Sequence, residues 1–185
     1  MVEYYPQPLA GKRLRASTLR DMLPKTARKT ADTSRSATTT ATADTHLTFE
    51  VEANAVYVWD GFLKYDAATG GDFLVDFSVP TGALGEWGAH GPGIVVIGAD
   101  DSPLALQTDT IQSTGYMVRV EANDVTQSRT YGGLGAGTGI TVLIAGTLRV
   151  GSTAGTFSLD WAQGTSNATA TTLFTDSWLK LQRVA

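Results

Sequence analysis

From residue 46 onward the chain alternates apolar and polar side chains with a period of two, and any fold must satisfy that alternation. Leu47, Phe49 and Val51 alternate with Thr48, Glu50 and Glu52. Tyr57, Trp59, Gly61, Leu63 and Tyr65 face one way, with Asp60 and Lys64 facing the other. Phe73, Val75, Phe77 and Val79 repeat the pattern until Pro80 ends it. Ile140, Val142, Ile144, Leu148 and Val150 form the longest run, followed by Phe157, Leu159 and Trp161, and then by Trp178–Val184. Ile94–Ile97, Leu104–Ile111 and Tyr116–Val120 read as weaker strands. No segment after residue 25 carries a helical period. Eight or nine short strands bounded by Gly, Asp, Asn, Pro and Ser predict an all-β, antiparallel sandwich or barrel, and about eight strands suit a jelly-roll sandwich. A strand as late as 178–184 should pair inside a sheet, so the body closes on its C-terminal strand.

The charge distribution divides the chain. Residues 1–35 hold eight basic side chains against three acidic ones, a net +5, whereas residues 36–185 hold six against fifteen, a net −9. Such asymmetry marks a tethering segment. Pro6, Pro8, Gly11 and Pro24 punctuate this arm. Between Gly11 and Pro24, Ser17 or Thr18 can cap one short helix with Leu19, Met22 and Leu23 on a shared face. One or two turns are not stable alone. Residues 26–45, rich in Thr, Ala and Ser, read as an extended linker that becomes a strand on docking. The expected organisation is therefore a basic arm and linker over 1–45 and a β domain over 46–185.

Composition excludes several chemistries. With no cysteine there is no disulfide framework, thiolate metal site or cysteine nucleophile. No apolar run is long enough to span a membrane, and MVEYYPQPLAGKRLR does not read as a secretory signal. The two histidines, His46 and His90, lie outside any nucleophile motif, and no GxSxG is present. The glycine cluster at 131–139 lacks the Lys-Ser or Lys-Thr of a phosphate loop and precedes a strand, so it reads as an inter-strand loop. Asp100-Asp101 reads as a turn. The acidic body repels nucleic acid. Neither a catalytic constellation nor a cofactor or metal site is expected. Of the aromatic residues, Trp87, in the glycine-rich stretch GALGEWGAHGPG (82–93) that reads as a loop, is expected to be exposed. With Tyr131 and Asp100 it makes a candidate glycan-stacking face.

Residues 10–24, AGKRLRASTLRDMLP, resemble the leader that opens many tailed-phage structural proteins, with Ala10-Gly11, Leu14, Ala16, Leu19 and Leu23 in the matching places. Residues 27–67 and 155–184 are similar to small virion proteins of actinobacterial phages and prophages. The strand order also looks like the trimeric jelly rolls of the tumour-necrosis-factor and C1q kind. This resemblance implies a non-enzymatic virion structural protein, a homotrimer on the capsid or tail exterior, with capsid decoration preferred over a tail accessory or fibre-like position. The arm residues Lys12, Arg13, Leu14, Arg15, Leu19, Arg20, Met22 and Leu23 would then dock on a major capsid or tail protein. Adhesion to a host-surface glycan is the alternative.

Overall fold

The computed structural model describes residues 10, 11, 13, 15, 16, 19, 23–98, 114–119 and 122–185, with backbone alone for 95–98 and 114–119. Thirteen strands are described: β1 (Lys25–Arg28), β2 (Thr33–Arg35), β3 (Thr42–Val51), β4 (Val56–Asp66), β5 (Phe73–Ser78), β6 (Leu84–Gly98), β7 (Thr114–Arg119), β8 (Ala122–Asp124), β9 (Arg129–Tyr131), β10 (Ile140–Arg149), β11 (Gly155–Ala162), β12 (Thr171–Leu173) and β13 (Trp178–Arg183). They form two antiparallel sheets. The larger runs β1-β13-β4-β10-β6-β7, with β8 on β6 and β12 bridging β2 and β4. The smaller runs β3-β11-β5-β9. The all-β sandwich is thus as expected, with more strands than the alternation revealed.

The inward half of each alternation meets in an aromatic seam. The ring of Trp59 on β4 lies 4.9 Å from Phe77 and 5.4 Å from Phe157, both on the opposite sheet. Phe77 meets Trp87 edge-on at 5.1 Å, and Tyr65 stacks on Phe73 at 4.4 Å. Burying such rings between layers is the main force closing a sandwich. The last strand, β13, pairs with both β1 and β4 and so lies inside the sheet. Asn54, at φ 59°, makes the left-handed turn between β3 and β4.

Two expectations need correction. The linker is no linker: β1 pairs with β13, β2 with β12, and β3 begins at Thr42, so residues 25–45 belong to the sandwich and the 45/46 boundary falls inside a strand. Short Thr- and Ser-rich segments have no amphipathic pattern of their own. They are strands because the sheet edges need partners for their backbone groups. The second correction concerns residues 82–93, read as a glycine-rich loop: from Leu84 on they lie within β6. There Gly85 and Gly91 take inward positions where backbone or ring packs too closely for a Cβ. An added Cβ would meet Thr147 O at 2.2 Å and the Tyr131 ring at 2.7 Å, respectively.

Candidate functional site: the outer face of the larger sheet

Strand register places one row of side chains across five strands of the larger sheet: Arg28 (β1), Trp178 (β13), Phe62 (β4), Leu143 (β10) and His90 (β6). With strands about 4.8 Å apart the row is roughly 19 Å long. It faces away from the core, because Tyr57, Trp59, Leu63, Val142 and Ile144 occupy the inward positions of the same strands. Leu143 is 52% exposed, and Val58 and Leu84, further along the same face, are 41% and 57% exposed. The next row, Thr26, Lys180, Asp60, Ala145 and Gly88, holds an ion pair between Lys180 Nζ and Asp60 Oδ1 at 2.9 Å.

Two hollows flank the row. One, about 300 Å³, is lined by Gly88, His90, Ala122, Leu143 and Ala145. It exists because small residues stand beside the exposed leucine. The other, also about 300 Å³, lies along Thr26, Arg28, Trp178 and Lys180. The opposite rim is acidic, with Glu86 on β6 directly across from Asp124 on β8. Hydrogen bonds from the Thr126 hydroxyl and N–H hold the Asp124 carboxyl below its ordinary range, so it stays charged.

The arm meets this face at its edge, since β1 is the outermost strand on that side. Among the predicted anchoring residues, Arg13, Arg15, Leu19 and Leu23 are exposed, the two leucines at 49% and 65%. Leu19 N–H donates to Arg15 O at 3.1 Å, a single helical-type bond that places Arg15, not Ser17 or Thr18, at the capping position. Lys12, Leu14, Arg20 and Met22 lie outside the described residues. Four of the eight basic residues counted in the arm serve the body instead. Lys25 Nζ donates to Glu50 O, Arg28 pairs with Asp176, Lys29 pairs with Asp44, and Arg35 donates to the carbonyls of Thr42 and Trp161. The remaining arm charge, Lys12, Arg13, Arg15 and Arg20 against Glu3 and Asp21, is a net +2.

The candidate glycan face does not form. Trp87 is 2% exposed, and its Nε1 donates to Asp124 O and Gln127 O at 3.1 and 3.2 Å. Tyr131 is 1% exposed. A ring enclosed in a core offers no surface for a sugar. Asp100 lies outside the described residues. Trp178, which sequence reasoning did not single out, is the tryptophan that reaches the surface. Its signal was present: Trp178 is the first residue of a strand whose inward positions, Leu179 and Leu181, put it on the outward phase.

Asp76 and Asp160 oppose each other across β5 and β11 on the smaller sheet. Burial pushes the Asp76 carboxyl up, Phe77 N–H lowers it, and Asp160 adds to the rise. Asp160 accepts from Ser78 and Ser158 at 2.8 and 2.7 Å. Among the described residues no group of His, Asp and Glu is arranged to hold a metal ion, and no helix is long and apolar enough to cross a membrane. A buried polar cluster lies instead under residues 29–46. Lys29 Nζ contacts Asp44 Oδ2 at 2.6 Å with both side chains enclosed. Burial pushes the Asp44 carboxyl up, but hydrogen bonds from Lys29, His46 N–H and Trp161 outweigh it, and its pKa lies below the ordinary value.

The chain matches no protein-family profile, no curated protein and no solved structure.

Proposed function

We propose that this chain is a virion structural protein, a capsid decoration protein, whose N-terminal arm docks on the particle and whose body projects from it as a homotrimer. The observation that carries the reading is the outward apolar row Trp178–Phe62–Leu143, flanked by two hollows, at whose edge the exposed arm begins. Contiguous apolar surface on a well-packed domain marks an interaction site. At one rim Arg28 and Lys180 are already paired with Asp176 and Asp60, so the contact between copies rests on the apolar row rather than on opposed charges. A rotational head-to-tail contact closes into a ring.

Strand order supports the finer fold reading, a jelly roll. Setting β2, β6, β7, β8 and β12 aside, the other eight strands run first-eighth-third-sixth in the larger sheet and second-seventh-fourth-fifth in the smaller. That is a pair of interlocked Greek keys. The insertion of β6–β8 between β5 and β9 widens the larger sheet and contributes the acidic rim. Docking by the arm orders a short segment, and three arms per trimer offset that entropy through avidity. Deleting residues 1–24 should leave a folded trimer that no longer joins particles. Undiminished incorporation of the truncated protein would refute the anchoring role. The Trp178 groove favours a second reading, adhesion to a glycan, for which Trp178→Ala should abolish binding on a glycan array.

A further inference from the structure

We propose that Lys29 and Asp44 condense to an intramolecular amide that ties residues 29–44, the strap following the arm, covalently to the first strand of the smaller sheet. Lys29 lies immediately after β1. Its N–H donates to Ser177 O at 2.8 Å and its carbonyl accepts from Asp176 N–H at 3.1 Å, so its backbone is fixed on both sides. Its side chain is 0% exposed and that of Asp44 1%. Nζ touches Oδ2 at 2.6 Å and donates to Thr33 Oγ1 at 3.0 Å. A buried ion pair carries a desolvation penalty that a neutral product would not.

The surroundings suit acyl transfer. Both carboxylate oxygens already accept from fixed donors: Oδ2 from Trp161 Nε1 at 3.2 Å and Oδ1 from His46 N–H at 2.9 Å. These donors are placed to hold the oxygens of a tetrahedral centre, as an oxyanion hole does. His46 Nδ1 is buried without a hydrogen-bond partner, 3.7 Å from Oδ1, so a group able to relay a proton stands beside the reacting carboxyl. The ammonium first passes one proton to the carboxylate across their contact. The freed Nζ lone pair then attacks Cγ, forming the C–N bond. Nitrogen then gives up a second proton, which His46 Nδ1 relays to Oδ1, 3.7 Å away. As the C–Oδ1 bond breaks, that hydroxyl takes the proton of Oδ2 and leaves as water, and Oδ2 remains as the amide oxygen. The sum is ammonium plus carboxylate giving amide plus water, with no oxidant or co-reactant. Enclosure holds the reactants at a high effective concentration, which such arrangements raise to about 10⁵ M or more.

The tie would pass load arriving through β1 directly to β3, sparing β2, which lies between the two tied residues. Its chemistry does not depend on the virion reading. The test is the intact mass of the full-length chain after prolonged incubation at neutral pH, followed by tryptic mapping. Condensation makes the protein lighter by one water and joins the peptides 29–35 and 36–64, with no cleavage after Lys29. Asp44→Asn should instead lose one ammonia, Lys29→Arg should keep its full mass, and His46→Gln should slow the loss about a hundredfold. A wild-type chain that retains its full mass, with the two peptides separate, overturns the proposal. So does a water loss that persists in Lys29→Arg. An unchanged rate in His46→Gln overturns the relay.

Discussion

Replacing Gly85 with alanine tests the packing of β6 on β10, on which the widened outer face depends. Gly85 pairs with Leu148 in the register of the two strands. A Cβ there would stand 2.2 Å from Thr147 O and 3.2 Å from Thr147 C. Close carbon–oxygen contacts between strands take about 3.3–3.6 Å, so the new atom is roughly 1 Å too near a backbone oxygen that cannot rotate away. β6 must separate from β10, disturbing Trp87 two residues on, which packs against Phe77. Overpacking costs about 1–3 kcal/mol, and a clash with backbone belongs at or above the upper end. For a chain of this size about 3 kcal/mol lowers Tm by roughly 6–12 °C. Gly139→Ala is the control: its Cβ would meet only the flexible Lys64 Cε at 3.2 Å and Phe174 at 3.9 Å. Thermal unfolding followed by circular dichroism should separate the two variants clearly. Equal melting temperatures would refute both the register and the claim that residues 84–93 form a packed strand.

Other perturbations follow from the same geometry. Removing residues 1–24 should leave Tm within a degree or two, whereas removing 1–35 strips β1 and β2 and should lower it strongly; equal effects would contradict the corrected boundary. Leu143→Arg, at an exposed outward position, should shift monomer stability by no more than about 0.5 kcal/mol yet abolish self-association in light scattering. Asp76→Asn should raise Tm at neutral pH. The Asp76 pKa is raised in the folded state, so its charge weakens the fold above that pKa, and the variant's advantage should vanish as pH falls below the ordinary carboxylate range, where both states are protonated. An advantage independent of pH would contradict that cause.

Much of the sandwich was legible because side-chain alternation reports burial directly. β3, β4, β5, β10, β11 and β13 all lie where Leu47, Trp59, Phe73, Val142, Phe157 and Leu179 placed them. What was hidden has physical reasons. β1 and β2 are edge strands of Thr, Ser and Ala whose order comes from backbone pairing, which leaves no side-chain pattern. β6 was hidden by its glycines, which local reading takes as turn punctuation and which here mark close approach between strands. That error also misplaced Trp87: once residues 84–93 form a strand, Trp87 falls on the inward phase with Gly85 and Ala89. The outward row was legible one residue at a time but not as a row, because register between β13, β4, β10 and β6 is a tertiary property. The buried pair of Lys29 and Asp44 left no sequence signal beyond two charges in a Thr-rich stretch.

The measurement that bears most directly on the account is the solution mass, by light scattering, of the full-length chain and of residues 25–185. The account predicts three chains per particle for both, because the outer sheet face lies wholly within the body and the arm is free to dock elsewhere. Monomers in both samples would contradict it, leaving the row Trp178–Phe62–Leu143 without the partner proposed for it.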